Sequence, residues 1–286
     1  SPLVIERSEQ YTILWRSMAV YAGRIDDGRG WHMAEKAAPG ALILGASSGI
    51  GAALARELAR QGYRLALVAR NEATLAALTN EINGERAGTP QARSYPCDVR
   101  VFDDAPVLFQ RIAEDMGGPL RLVVYLAGIM PSGKAGAWTF EEERATVETN
   151  LLGAMRWLDL AAENFTYAHE GVIVGVSSVA GDRGRRGNSA YMASKAGLST
   201  YLESLRYRLR GTGVRVVTIK PGYVATPMTA DLKLPQALTI TPERAAKRIA
   251  QAAKKSSGVV YVPGYWAPIM WGIRQLPAAA IARLPI

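Results

Sequence analysis

Residues 41–51 read ALILGASSGIG, an apolar run that ends in Gly45 and is followed by Gly49 and Gly51. A short apolar run bounded by glycine reads as a buried strand. The glycines after it permit a tight turn, and Ile50, Leu54 and Leu58 then share one helical face up to a glycine stop at Gly62. The unit is strand, turn, helix, and the chain goes on repeating it. YRLALVAR is a second strand, and NEATLAALTNEI is a helix with Leu75, Leu78 and Ile82 in register. QARSYPCDV is a third strand and its exit, and LRLVVYLAG, GVIVGVSS, VRVVTIKPG and GVVYVPG supply four more strands. Helices are expected at 101–117, from Phe140 to Tyr167, and at 189–211 and 241–255. Strands alternating with helices imply a parallel sheet covered on both faces, a Rossmann-like doubly wound α/β fold.

The repeat continues without a Pro/Ser linker or a shift in composition, so residues 33–286 read as a single dinucleotide-binding catalytic domain. A substrate loop is expected near 223–240 and a tail over 263–286. Residues 1–32 mix acids and arginines and lack the apolar core of a signal peptide. They read as an extension ahead of Met33, either non-native or an arm that packs on a neighbouring subunit.

Charge narrows the partners. The formal net charge is +9, but the 34 lysines and arginines are scattered, with no long run and no aromatic interleaving. That pattern is a solvated basic surface around one anion pocket, not a nucleic-acid interface. Cys97 is the one cysteine, which excludes an internal disulfide and a paired-cysteine metal site and fits a cytoplasmic protein. His32 and His169 are the only histidines, leaving little room for a Ser-His-Asp triad or a histidine-bound metal, and no metal is expected. No run reaches the ~18 apolar residues needed to span a bilayer.

The glycine turn has the spacing of a phosphate cradle. Gly45, Gly49 and Gly51 let the backbone approach a pyrophosphate, Ser47 and Ser48 add hydroxyls, and the helix that starts at Ile50 offers free N–H groups. The end of the second strand chooses the nucleotide. An acid there would hold a ribose hydroxyl, but the sequence reads Ala69-Arg70-Asn71. Arginine offers a planar fork of donors to a 2′-phosphate, which favours NADP (NADPH) over NAD. Further on, Tyr191 stands one helical turn ahead of Lys195, just after the loop GDRGRRGN. A tyrosine is a poor acid–base group at neutral pH, and a nearby ammonium together with an oxidised nicotinamide ring lowers its pKa.

These motifs together resemble the short-chain dehydrogenase/reductase family over about Ala41 to Val262. The matches are GASSGIG, CDV, NLLG, VSSVAG, YMASK and PGYVAT. The resemblance implies catalytic roles for Asn150, Ser178, Tyr191 and Lys195, with Asn150 holding a water in a relay to Lys195. It also implies cofactor contacts from Asp98 and Val99, Ala127 and Gly128, Pro221, Gly222 and Val224, and from Thr226 to the carboxamide. The implied activity is that of a carbonyl or keto reductase acting on a small-molecule carbonyl or alcohol. The alternative is a catalytically idle NADP-binding sensor or scaffold on the same fold.

Two departures are visible. Leu44 replaces the usual threonine before the first glycine, and YLAG stands where the family has an asparagine pair before Ala127 and Gly128. The loop with Arg183, Arg185 and Arg186 is similar to that of the decaprenylphosphoryl-2-keto-ribose reductase type, which implies an anionic or sugar-bearing substrate. Met228, Leu232, Leu234 and Leu238 are expected to add an apolar wall, which fits an amphiphilic substrate. The tail carries Trp266, Ile269, Met270, Trp271, Ile273 and Leu276 with Arg274 and Arg283, either a membrane-interface contact or a lid or subunit contact. The family pairs its long helices into a homodimer or homotetramer, and Leu198, Tyr201, Leu202, Leu205 and Leu209 are the apolar positions expected to serve that contact.

Overall fold

A computed structural model describes residues 38–84, 91–131 and 138–283. The expectations for residues 1–32 and Met33 lie outside the described residues. Seven strands form one parallel sheet: β1 (Gly40–Leu44), β2 (Arg64–Ala69), β3 (Ala92–Pro96), β4 (Leu120–Tyr125), β5 (Gly171–Val176), β6 (Val214–Pro221) and, after two short strands, β9 (Gly258–Val262). Their order is β3-β2-β1-β4-β5-β6-β9, with every pairing parallel. The chain winds outward from β1 to β3 and then crosses back to place β4 on the other side of β1. That reversal opens a crevice at the carboxyl ends of β1 and β4.

Every side chain of β1 is buried, as a strand covered on both faces requires. Ala41 and Ile43 face one core with Leu54 and Leu58 of α1 (Gly49–Arg60), Leu75 of α2 (Glu72–Gly84) and Ile249 of α7 (Pro242–Lys255). Leu42 and Leu44 face the other, with Phe109 of α3 (Ala105–Asp115), Trp157 and Phe165 of α5 (Gly153–Ala168), and Leu202 of α6 (Ser189–Arg208). The period of two thus divides one strand between two helical layers.

Several expectations need correction. The helix expected from Phe140 to Tyr167 is two helices, α4 (Phe140–Val147) and α5, joined by a π-turn over Glu148–Leu152 that contains Asn150. The helix expected from Val101 starts at Ala105, while the third strand stops at Pro96 and leaves Cys97–Val99 as its exit. Leu198, Leu202, Leu205 and Leu209 point into their own core, and the Tyr201 hydroxyl donates to the Met155 carbonyl at 3.3 Å. They are therefore no outward face for a second subunit. The substrate loop contains a two-residue parallel pair, β7 (Tyr223–Val224) with β8 (Thr239–Ile240). Its supposed apolar wall is divided. Met228 reaches the crevice, Leu232 and Leu234 line a neighbouring groove, and Leu238 packs against Trp266.

The tail folds back as α8 (Trp266–Gln275) and α9 (Ala278–Ile281). Trp266 and Met270 are buried against Val179, Tyr223 and Leu238, while Trp271 is 64% exposed. Among the described residues no helix is long and apolar enough to cross a membrane.

Candidate active site

The crevice is walled by segments that leave the carboxyl ends of the strands. After β1, Gly45 turns with φ +92°, and an added Cβ there would lie 2.5 Å from the Ala127 nitrogen. A Cβ on Gly51 would lie 2.0 Å from the Gly45 carbonyl oxygen. Only glycine leaves this cradle open. Ser48 is the N-cap of α1, yet its hydroxyl makes no capping bond, so the helix start keeps donors for a ligand. Ser47, Gly49 and Ile50 complete this side of the crevice.

At the end of β2, Arg70 is exposed along the crevice wall. Asp98 and Val99 lie beyond it. The Asp98 carboxylate is gripped by Arg100, 2.7 Å from Nη2, and this bond holds its pKa below the usual range. Ala127 and Gly128 follow β4, Pro221 ends β6, and Gly222, Val224 and Thr226 come after it, and all six line the crevice. The glycine cradle, the uncapped helix start and the arginine make a donor set that fits a dinucleotide with a phosphorylated ribose. Asp98 is the one acid among the described residues of that wall, and Arg100 pairs it.

Ser178, Tyr191 and Lys195 line the same crevice. Asn188 caps α6, its side chain accepting from the Tyr191 N–H at 3.0 Å, which fixes the tyrosine in the first turn. Lys195 follows one turn later, 4% exposed, with Nζ donating to the Val176 carbonyl at 2.9 Å. That ammonium lies 5.8 Å from the Tyr191 ring centre. Burial lowers the Lys195 pKa to about 8. The expected fall in the Tyr191 pKa called on Lys195 and an oxidised nicotinamide together, and in the chain by itself the phenol is shifted upward. Burial raises the phenol and outweighs the hydrogen bond from Ser178 and the charge of Arg185, which both lower it.

Asn150 stands behind the wall, fully buried. Its Oδ1 accepts from the Ile129 N–H at 2.8 Å, and its Nδ2 donates to the Ile129 carbonyl at 2.9 Å and to Ser194 Oγ at 3.1 Å. Ser194 in turn donates to the Tyr191 carbonyl at 2.7 Å. Both amide protons of Asn150 are thus spent on protein, so its side chain has none left to give a water. The geometry instead ties the end of β4 to the helix that carries Tyr191 and Lys195.

Sequence reasoning missed Asn188, Ser194 and Arg100. The first had a visible signal, since an asparagine three residues ahead of Tyr191 is a capping position. The other two act through tertiary contacts that spacing does not reveal. Beside the crevice, Arg183, Arg185 and Arg186 face Ala278, Ile281 and Ala282 of the tail across a groove. Arg183 also donates to the Leu276 carbonyl at 3.1 Å. The loop and the tail therefore meet.

A family model described as short chain dehydrogenase matches residues 40–237. An uncharacterised oxidoreductase of Myxococcus xanthus is 37% identical over 231 residues, 81% of this chain and 90% of that protein. Ketoacyl reductase HetN of Nostoc is 35% identical, covering 77% of each chain. Among solved structures, a variant of actinorhodin polyketide ketoreductase with NADPH matches with a TM-score of 0.70 at 27% identity, over 80% of this chain and 97% of that one.

Proposed function

The chain belongs to the short-chain dehydrogenase/reductase family and is an oxidoreductase, and from that premise we propose that it is an NADPH-dependent reductase of ketones or keto-sugars. The observation that carries this reading is one crevice holding both the phosphate cradle and the Ser178–Tyr191–Lys195 group. Ketoacyl reductase relatives and the NADPH-bound ketoreductase structure support it.

In this reading the α1 start with Ser47 and Ser48 holds the pyrophosphate, and Arg70 holds the 2′-phosphate. Asp98 and Val99 flank the adenine end. Lys195 grips the ribose hydroxyls, and Pro221, Gly222 and Thr226 position the nicotinamide. The bound cofactor supplies the hydride. Tyr191, kept protonated by burial, gives its phenolic proton to the carbonyl oxygen, so a ketone becomes a secondary alcohol. Ser178 donates a hydrogen bond to the same oxygen as charge develops there. The Lys195 ammonium stabilises the phenolate left on Tyr191. Asn150 holds the tyrosine helix against β4.

The groove of Arg183, Arg185 and Arg186 supports a substrate with an anionic or sugar end. The exposed apolar edge of Ile269, Trp271 and Leu276 supports an apolar body or a membrane face at the mouth. The lone Cys97 supports a cytoplasmic location. The test is NADPH consumption with matched ketones and keto-sugars that carry or lack a phosphate. Turnover is expected, and changing all three arginines to alanine should remove it for the anionic members alone. Firm NADPH binding without turnover of any member would favour the idle sensor, and equal turnover after the arginine changes would make the groove solvent decoration.

A further inference from the structure

Behind the crevice, Lys220 and Asp182 form an ion pair whose side chains are 9% and 1% exposed. The Tyr261 hydroxyl donates to the second carboxylate oxygen of Asp182 at 2.7 Å. Lys220 Nζ also lies 5.8 Å from the Tyr261 ring centre. Each residue comes from a different strand end. Lys220 is the last residue but one of β6, immediately ahead of Pro221, and Tyr261 is the last but one of β9, ahead of Val262 and the tail. Asp182 follows a single turn of 3-10 helix, Val179–Gly181, that Ser178 caps. A buried ion pair adds little stability over apolar packing of the same volume. Its worth here lies in what it holds still.

Ser178 and Asp182 are the two ends of one hydrogen-bonded turn. Ser178 Oγ accepts from the Ala180 N–H at 3.1 Å, the Ser178 carbonyl accepts from Gly181 at 3.1 Å, and the Val179 carbonyl accepts from Asp182 at 3.2 Å. Gly181 lies flat on the tyrosine helix, where an added Cβ would be 2.6 Å from the Lys195 carbonyl carbon. Moving the Asp182 carboxylate therefore moves Ser178, because nothing between them is slack. We propose that Asp182, anchored by Lys220 and Tyr261, is the positioning residue that sets the Ser178 hydroxyl against Tyr191. The same anchoring turns the only acid of loop 181–188 inward, so that it does not neutralise Arg183, Arg185 or Arg186.

This inference rests on the catalytic reading of Ser178, and a double-mutant cycle tests it. The variant Asp182→Asn/Lys220→Met removes both charges and strands neither. With the wild-type serine, its kcat for carbonyl reduction is expected to fall about tenfold, as for a misplaced catalytic group, with the NADPH Kd within about twofold. In a Ser178→Ala background the same changes should cost nothing further. An equal fall in both backgrounds would overturn the proposal, since a general loosening does not act through Ser178.

A second readout needs no turnover. The Tyr191 Cζ resonance, identified by its loss in Tyr191→Phe, reports the titration of the phenol. Removing the Ser178 bond should raise its midpoint, and Asp182→Asn/Lys220→Met should raise it in the same direction, while Lys195 and Arg185 stay in place. An unmoved midpoint would overturn the assignment. Should the double variant fail to fold, Tyr261→Phe keeps the ion pair and loses one anchor. It is expected to show a smaller rise in the midpoint, and no change in either kcat or midpoint would again overturn the proposal. Absence of turnover by the wild-type protein would refute the reductase reading alone, leaving the titration to decide the role of Asp182.

Discussion

Arg70 and Lys195 each carry a consequence that one residue decides. Arg70 stands where a carboxylate would read a ribose hydroxyl, so Arg70→Ala is expected to weaken NADPH binding about tenfold or more and NADH binding hardly at all. Fluorescence titration with both cofactors checks this, and an equal loss for the two would show that the side chain does not read the 2′-phosphate. Lys195 sets a pH limit. Burial disfavours its ammonium and brings its pKa to about 8, while the Tyr191 phenol is shifted upward. The charge that in the proposed mechanism stabilises the phenolate is therefore present at neutral pH and lost above that value. Carbonyl reduction is expected to hold level through neutrality and decline on the alkaline side, and a rate profile that stays level well into alkaline pH would contradict it. At this scale the sequence was most legible where chemistry is local. The glycine turn, Arg70 and the Tyr191–Lys195 pair all lie within single short segments, and the structure puts them on one crevice. Asp182 and Lys220 are 38 residues apart and gave no such signal.

Among the elements, the seven long strands and the helices between them were readable because each buries an apolar run or stripe of its own. The break between α4 and α5 was not. Residues 140–168 are helix-compatible throughout, and the π-turn arises where Asn150 docks on the Ile129 backbone. The β7–β8 pair was equally invisible, since two residues cannot display a period. Helix α5 earns its place through Trp157, fully buried with Phe109 at 6.4 Å between ring centres. Trp157→Ala leaves a large void between α5, α3 and the sheet, and is expected to cost about 3–5 kcal/mol of stability. Denaturant unfolding measures that loss. Trp157→Phe should cost clearly less, because it keeps most of the ring volume and removes an indole N–H that has no partner.

For the whole molecule, assembly is the least legible property. The leucines first read as a subunit face belong to the core, and what the outer helices do expose includes Phe140, Leu152 and Tyr207. A homodimer or homotetramer remains the expectation from the family resemblance. Light scattering at micromolar concentration checks it, and a monomer there would remove it. The tail was readable as an apolar, basic end but not as a structure, because its partners Val179, Tyr223 and Leu238 come from earlier parts of the chain.

The strand order also arranges the protein in time. A ribosome releases β1, β2, β3 and β4 first, and those four are contiguous in the finished sheet. By the moment Gly128 emerges, the nascent chain already owns the glycine cradle, Arg70 and Asp98. Ser178 arrives only after α4, α5 and β5, and Tyr191 and Lys195 with α6. The residues proposed to hold the adenine end are thus translated before those proposed for the chemistry, and a stalled chain would carry the first set without the second.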